Sequence, residues 1–338
     1  MVVDASKIAA EELPMGTHNN FQDPDAFLKA GGQKGLQIPV LRVALGEVGA
    51  AAGLYTWQTL QDASAPIVAP YDRVPQLDLN WGRLNQRVGS LDGVDWSLAG
   101  QLTRFTTART PSVTAVQADV NGTRVLGIAQ VSRTWQTPGW YVRPKAQWHL
   151  SQYEVDLPLW DGRRNASRSV PTLSLDSGLV YERETHWWGR DLVQTLEPRA
   201  FYVRTPYRDQ SYLPNYDSGE NSFSFASIYT ENAYVGNDRI ADANLLTLGV
   251  TSRLLDDATG AESARAGIAQ RVRFEDQQVR LVPGQPALTE RLSDVLVGGA
   301  INWTRAWSTE ATTQYNQRLR ESERTVLNLR YNPSDYRV

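Results

Sequence analysis

The sequence predicts an all-β protein whose antiparallel strands cross a membrane as a transmembrane β-barrel. Three observations carry this expectation. Polar and apolar residues alternate with period two over long stretches, the mark of strands with one apolar face. No stretch approaches the roughly 20 continuous apolar residues that a spanning helix needs. Eleven Trp and fourteen Tyr outnumber seven Phe, and amphipathic rings concentrate where membrane meets water. Barrel strands average out as hydrophilic because only every second residue meets lipid. The pattern alone also admits a soluble β-sandwich, which keeps period two and turns its apolar face to a second sheet.

The alternation begins at 74–81, where Leu77, Leu79 and Trp81 share one face and Gln76, Asp78 and Asn80 the other. At 94–102 the apolar set is Val94, Trp96, Leu98 and Leu102. The clearest stretch is 140–152, with Trp140, Val142, Ala146, Trp148 and Leu150 opposite Arg143, Lys145, Gln147, His149 and Ser151. Leu173, Leu175, Leu179 and Tyr181 repeat the scheme. Leu246, Leu248, Val250 and Leu254 do so opposite Thr247, Thr251 and Arg253, and Ala266, Ile268, Val272 and Phe274 opposite Arg265, Arg271 and Arg273. Val295, Val297, Ile301 and Trp303 follow, then Leu327, Leu329 and Tyr331. With 125–135, 192–204 and 309–319 this makes about eleven strands of roughly 9–14 residues, the length of tilted membrane strands rather than of soluble sheets. Prolines 75, 144, 171 and 198 fall inside these patterns; lacking an N–H, they are expected at strand ends or where pairing is weak.

Tight and long connections alternate, as in outer-membrane barrels with short turns on one side and long loops on the other. Thr137-Pro138-Gly139 is a tight turn, whereas 106–122 and 206–243 are long and rich in Tyr, Asn, Asp and Ser. Loops of that length are usually functional. Residues 1–52 are Ala/Gly-rich, with a short helical pattern at 5–13, and remain unassigned; 53–338 is the barrel portion. Asp4, Glu11 and Glu12 interrupt the first apolar run and its start lacks positive charge, so it does not read as a signal peptide. A barrel must be exported, so the expectation is either a chain that begins inside a longer protein or a truncated gene.

Composition narrows the chemistry. A net charge of -3 with both signs scattered offers no basic block for nucleic acid. There is no cysteine, and His18, His149 and His186 are isolated, so no metal site or other cofactor is expected. No Ser-His-Asp order or Gly-rich phosphate loop stands out. No catalytic residue is assigned and the chain is not expected to be an enzyme. The triplets at 121–123, 165–167 and 302–304 match the glycosylation pattern at a length that arises by chance.

Three segments carry a family resemblance. The first is Trp57-Gln58-Thr59-Leu60-Gln61-Asp62 with Pro70-Tyr71-Asp72-Arg73-Val74-Pro75-Gln76-Leu77. The second is Arg168-Ser169-Val170-Pro171 with Leu173, Asp176-Ser177-Gly178 and Tyr181-Glu182-Arg183. The third and most specific is Gln194-Thr195-Leu196-Glu197-Pro198-Arg199-Ala200, then Pro206-Tyr207-Arg208-Asp209-Gln210-Ser211, Pro214-Asn215-Tyr216-Asp217-Ser218, and Asn237-Asp238-Arg239-Ile240-Ala241-Asp242-Ala243-Asn244 running into Leu248-Gly249-Val250-Thr251-Ser252-Arg253. From about Leu54 onward the chain resembles the barrel of the LptD (OstA/Imp) family of lipopolysaccharide-assembly proteins.

That resemblance implies a segment of a very large outer-membrane barrel that inserts lipopolysaccharide into the outer leaflet. It further implies a Gram-negative outer-membrane location among outer-membrane lipid, a plug lipoprotein, LptE, in the lumen, and a periplasmic bridge protein, LptA, reached through a domain absent here. The family's periplasmic jellyroll, its first and last barrel strands and its cysteines are not found. This leaves a porin-like channel, a truncated non-functional fragment or a soluble β-rich binding protein as rival readings.

The resemblance also nominates residues. Glu197 and Arg199 share a strand face and are read first as a charge pair satisfying the lumen. Pro206, Tyr207, Arg208, Asp209, Asn215, Tyr216, Asp217, Asp238 and Arg239 are read as residues holding the long loop folded rather than as headgroup contacts. Arg143, Lys145, Arg265, Arg271 and Arg273 would attract an anionic headgroup if they face the lumen.

Overall fold

The computed structural model describes residues 33–45, 48–59, 68–114, 118–187, 189–304 and 306–332, with backbone alone for 33–45, 58–59 and 118. The elements are strands: β1 (Gln33–Leu45), β2 (Val48–Thr59), β3 (Asp72–Val88), β4 (Leu91–Thr106), β5 (Ser112–Val113), β6 (Ala118–Asp119), β7 (Gly122–Arg133), β8 (Trp135–Thr137), β9 (Trp140–Val155) and β10 (Asn165–Leu179). Then come β11 (Tyr181–Trp187), β12 (Arg190–Thr205), β13 (Gly219–Glu220), β14 (Tyr234–Val235), β15 (Ala243–Asp256), β16 (Glu262–Arg273), β17 (Val295–Asn302), β18 (Trp307–Asn316) and β19 (Glu321–Tyr331).

One 15-stranded antiparallel sheet contains all but the small β5/β6 and β13/β14 ladders. Its spatial order follows the chain, β1-β2-β3-β4-β7-β9-β10-β12-β15-β16-β17-β18-β19, with β8 prolonging β7 beside β9 and β11 prolonging β10 beside β12. Each of the eleven expected strands falls on a member of this path. The sheet also includes β1 and the first half of β2, which fall within the unassigned 1–52: the sequence of β1 alternates at Leu36, Ile38 and Val40 and, after a register shift, at Leu41, Val43 and Leu45, whereas 49–53 in β2 is Gly and Ala only. The helical pattern at 5–13 lies outside the described residues. Among the described residues no ladder joins β1 to β19.

Connections alternate as expected, with one exception. At one end lie the tight turns at 89–90, 138–139 and 257–261, and at the other the long segments 156–164, 206–242 and 274–294, together with the short turn 317–320 between β18 and β19. Three of the four prolines sit inside ladders rather than at strand ends: Pro144 opposite Leu175, Pro171 opposite Trp148 and Pro198 opposite Val250. All three point to the outward face, among side chains that do not contribute to the ladder. Pro75, after a cis bond from Val74, sits where the β3/β4 register shifts between Arg73 and Gln76, the bulge position that tolerates a missing donor.

The register carries the predicted faces across the sheet. Trp148 stands opposite Ala129 and Pro171, Leu173 opposite Ala146, and Leu248 opposite Ala200. Trp148 is 51% exposed, Leu248 48% and Ile268 50%; among the described residues no second sheet covers this face. Toward the long-loop end the polarity reverses. Phe105, Tyr153, Val155, Phe201, Val203 and Leu245 are buried on the inward face, while Arg104, Gln152, Glu154 and Arg204 point outward. The reversal follows from the 206–242 loop, which folds back against the inward face and supplies the other half of each small core. Leu213 and Tyr216 pack on Phe105 and Tyr153, Tyr229 on Phe201 and Leu245, and Ile228 on Ala269 and Leu296.

Candidate functional site: a loop docked on the inner wall

The loop is held first by a buried ionic cluster. Arg124, on the inward face of β7, donates through Nη1 to Asp217 (2.9 Å) and Asp238 (2.7 Å), and through Nη2 to Asp217 (2.7 Å) and Gln101 (2.9 Å). Its guanidinium also lies 5.0 Å from the centre of the Phe105 ring. Asp238 accepts three further hydrogen bonds, from the Tyr153 hydroxyl (2.9 Å) and the backbone N–H groups of Tyr216 (2.7 Å) and Asp217 (2.8 Å). Arg124 and Asp238 are 1% and 0% exposed, so each charge depends on the other for compensation.

Burial opposes the Asp217 charge, but the adjoining Arg124 guanidinium overrides it and holds the carboxyl well below the usual carboxylate range. Burial pushes Asp238 the other way, upward, with Asp217 alongside adding to the effect and Arg124 opposing it. The Tyr216 hydroxyl is pushed up by burial too, and its ring stacks on Phe105 at 4.3 Å and meets Tyr71 edge-on at 5.0 Å.

A second buried arginine organises the loop's return. Arg168 on β10 donates to Gln210 (2.8 Å) and to the carbonyls of Asp238 (2.6 Å) and Asn237 (2.6 Å), and lies 3.2 Å from His149 Nδ1. Gln210 closes the circle by pairing with both backbone groups of Ile240. Arg239 donates to the carbonyls of Leu213 (2.8 Å) and Pro214 (3.3 Å). The loop's two limbs are thereby tied to one another and to the wall.

Beyond this clamp, the 221–233 excursion reaches farther along the wall and seats aromatic side chains against inward-facing glycines. A Cβ on Gly249 would collide with the Tyr229 hydroxyl and one on Gly298 would lie 2.9 Å from the Phe225 ring, as in the clamp a Cβ on Gly122 would collide with the Tyr216 hydroxyl. Arg199 stacks over Tyr229 (4.1 Å to the ring centre), Lys145 pairs with Glu231 (3.2 Å), and Arg271 donates to the Ile228 carbonyl (2.5 Å).

The nominated residues thus divide. Tyr216, Asp217, Asp238 and Arg239 converge in the clamp. Asn215 folds a local turn with Ser218, and Asp209 caps Ser211 N–H. Pro206 opens the loop; Tyr207 and Arg208 stay at its surface, Arg208 bonding only to the Tyr207 carbonyl among the described residues. Lys145, Arg199 and Arg271 hold the excursion. Arg265 pairs with Glu310 (3.1 Å) and Arg273 with the Glu290 carbonyl (2.7 Å), whereas Arg143 has no ion pair among the described residues.

Glu197 and Arg199 are not partners of one another. Glu197 pairs with Arg253 (3.2 Å) and Arg199 with Asp176 (2.7 Å). Both pairs are diagonal neighbours on adjoining strands, a separation that long side chains span.

Sequence reasoning did not single out Arg124, Tyr153, Phe105, Tyr229 or Glu231. A signal was present: at 101–106, 152–155 and 200–205 the inward positions turn apolar while the outward ones turn polar. His149 is a buried neighbour of Arg168 and Asn237.

Residues 41–337 match the family described as LptD, LPS transport system D. A Polaromonas protein named LPS-assembly protein LptD is 56% identical over 86% of this chain, which covers 34% of that relative. An Albidiferax ferrireducens protein of the same name is 51% identical over 83% of the chain, again covering 34% of the relative. The chain therefore spans about a third of the length of these relatives, and on the family match and these identities it belongs to the LptD family.

Proposed function

We propose that this chain is a central wall segment of an outer-membrane β-barrel that delivers lipopolysaccharide to the outer leaflet. The observation that carries the reading is the two-faced wall: an uncovered apolar band outward and, behind it, a polar inward face bearing Arg143, Lys145, Arg199, Arg253 and Arg265. An amphiphile with a phosphorylated sugar head and acyl tails matches both surfaces, and strand-closed walls are one of the few backbone arrangements that cross hydrocarbon. The long-loop end is the outer one on this reading, with the loop filling space that a simple diffusion pore would leave open. The segment acts passively as part of a wall, with no bond made or broken, and the lumen it helps enclose admits the plug lipoprotein LptE, while LptA delivers cargo through sequence outside this segment.

The test is complementation in cells depleted of their own LptD. A full-length relative carrying residues 53–338 in place of its own segment is expected to restore surface lipopolysaccharide and a heat-modifiable barrel. The 338 residues alone, given a signal peptide, are expected to restore neither, because unpaired edge groups in a bilayer cost several kcal/mol each. Failure of the full-length chimera, with normal barrel yield, would overturn the reading.

A further inference from the structure

The ladder register places Arg143, Asp176, Phe201, Thr247 and Arg271 in one row across the inward faces of β9, β10, β12, β15 and β16. Lys145 and Ser174 flank the row on one side and Arg199 on the other. Four inter-strand steps of about 4.8 Å make the strip roughly 19 Å wide. It carries four cations and one acid of its own, and Asp176 is committed, since both of its oxygens accept from Arg199 (2.9 and 2.7 Å) and one from the Tyr141 hydroxyl (3.2 Å). Arg143, directly opposite Asp176, keeps a buried Nε with no hydrogen-bond partner among the described residues.

What compensates the strip is brought by the loop. Glu231 accepts from Lys145 Nζ (3.2 Å) and from Ser174 Oγ (3.1 Å) through the same oxygen. The Ile228 carbonyl takes the Arg271 guanidinium, and the Tyr229 ring covers Arg199. Each contact satisfies a wall cation with a loop group of negative or partly negative character. The excursion is attached differently from the clamp. Asp217 and Asp238 are 6% and 0% exposed beside Arg124, whereas Lys145 and Glu231 are 22% and 27% exposed. A partly hydrated pair is worth much less than a desolvated one, so Glu231 leaves Lys145 at less cost than the clamp opens, and the main cost of lifting the excursion is uncovering Ile228, which is buried against Ala269 and Leu296.

We propose that residues 221–233 form a lid over a polyanion-binding strip of Arg143, Lys145, Arg199 and Arg271, with Glu231 as a resident anion that an incoming phosphorylated sugar displaces. The ligand class rests on the reading of this chain as part of a lipopolysaccharide translocon. Width and charge match a ligand with more than one phosphate, because a single phosphate reaches only one end of the row. Displacement of Glu231 and Tyr229 frees the cations that the ligand then engages, so lid opening and binding are one exchange equilibrium.

The experiment uses the full-length protein carrying this segment, purified with its lumen partner, and a fluorescent bis-phosphorylated lipid disaccharide as probe, with its dephosphorylated form and inorganic phosphate as controls. Glu231→Gln keeps the Ser174 hydrogen bond and removes the charge. It is expected to tighten probe binding about tenfold, as the competent fraction rises, with unchanged barrel heat-modifiability. Arg143→Gln is expected to weaken binding about tenfold with Glu231 in place. This segment contributes no cysteine of its own, so a second arm places Lys145→Cys and Glu231→Cys in it, with free thiols elsewhere in the full-length protein replaced: joined by a photocleavable bis-maleimide, they should exclude the probe until the linker is cleaved. Equal affinity in the Glu231→Gln and parent proteins, or full binding to the stapled one, overturns the lid. Preference for inorganic phosphate over the disaccharide overturns the ligand class. Loss of probe binding in every variant and the parent sinks the underlying translocon reading instead.

Discussion

The two ends of the same strands are built on opposite rules. Toward the tight turns, β9 puts Trp140, Val142, Ala146 and Trp148 outward and Arg143, Lys145 and Gln147 inward. Toward the long loops it puts Gln152 and Glu154 outward and Tyr153 and Val155 inward. β4, with Leu98 and Leu102 giving way to Arg104, and β12, with Leu196 and Ala200 giving way to Arg204, also reverse toward their long-loop ends. On the proposed reading, apolar groups face lipid at one level and packed protein at the other, and the reversal on each strand marks where the outward medium changes from hydrocarbon to water and headgroups. A strand's alternation therefore reports what lies on each side, and it can report two answers along one strand.

The largest expected consequence is a contrast between two arginines near the same end of the wall. Arg124→Ala strands Asp217 and Asp238 in a dry interface, a loss of about 3–5 kcal/mol for a broken buried pair. Arg104→Ala removes an outward partner of Asp156 (32% and 46% exposed), where under about 1 kcal/mol is expected. Denaturant midpoints of the assembled barrel, read by heat-modifiable mobility, measure both. Equal losses would mean that the clamp is hydrated and the loop undocked. Arg124→Met with Asp217→Asn and Asp238→Asn is expected to recover part of the loss, since no charge is then left buried alone.

A contrast along the outward face comes next. Lys in place of Leu248, in the apolar band, is expected to cost about 2–4 kcal/mol, while Lys in place of Gln152, above the reversal, is expected to cost close to nothing. Spin labels sharpen the same boundary: those at Trp148, Leu248 and Ile268 should collide with oxygen and those at Gln152 and Arg204 with aqueous nickel. Labels at Thr247 and Ala269 report neither medium, because both residues are buried beneath the loop. Nickel access at Leu248 would move the band and break the comparison.

What the sequence revealed, and what it hid, follows from the same reversal. Outward apolar positions such as Trp148 and Leu248 repeat every second residue because, on the proposed reading, lipid makes one uniform demand on every strand. The alternation of tight and long connections was readable for a similar reason, since it is a consequence of a meander with two unlike ends. The loop's anchoring was not readable. Arg124 meets Asp217 and Asp238 across 93 and 114 residues, and no local period encodes a partner at that separation. Within the motif-rich stretch Asp217, Asp238 and Arg239 could be nominated, yet Arg124 sits in an ordinary strand and its role is visible only once the loop is folded onto it. Strand β2 escaped because small residues at 49–53 blur both faces, and β1 because its alternation slips by one residue between Pro39 and Leu41.

The glycine sockets allow a finer test of how closely the loop is seated. Gly249→Ala drives a methyl into the Tyr229 hydroxyl, and about 1–3 kcal/mol is expected for overpacking of this kind. Tyr229→Phe removes the colliding oxygen and should recover most of that loss. Gly127, outward on β7, has no atom within 4 Å of where a Cβ would stand, and Ala there is expected to be neutral. If Gly249→Ala is neutral as well, the excursion is not seated on the wall in solution.

The smallest effects concern Glu197 and Arg199, neighbours in sequence that serve different partners. Glu197 reaches Arg253, which keeps Glu262 at 3.6 Å when Glu197 is removed, and the pair is 27% and 44% exposed. Glu197→Ala should therefore cost no more than about 1 kcal/mol. Arg199→Ala should cost somewhat more, because it uncouples Asp176 and also takes the cation from the Tyr229 ring, a contact worth about 0.5–1 kcal/mol when partly exposed. The ion-pair partners of the two residues are different, so their double mutant should be additive within about 0.5 kcal/mol. A larger coupling in denaturant midpoints would restore the direct pair that adjacency in the sequence suggests, and would require β12 to be twisted away from the register in which Glu197 opposes Thr251 and Arg199 opposes Gly249.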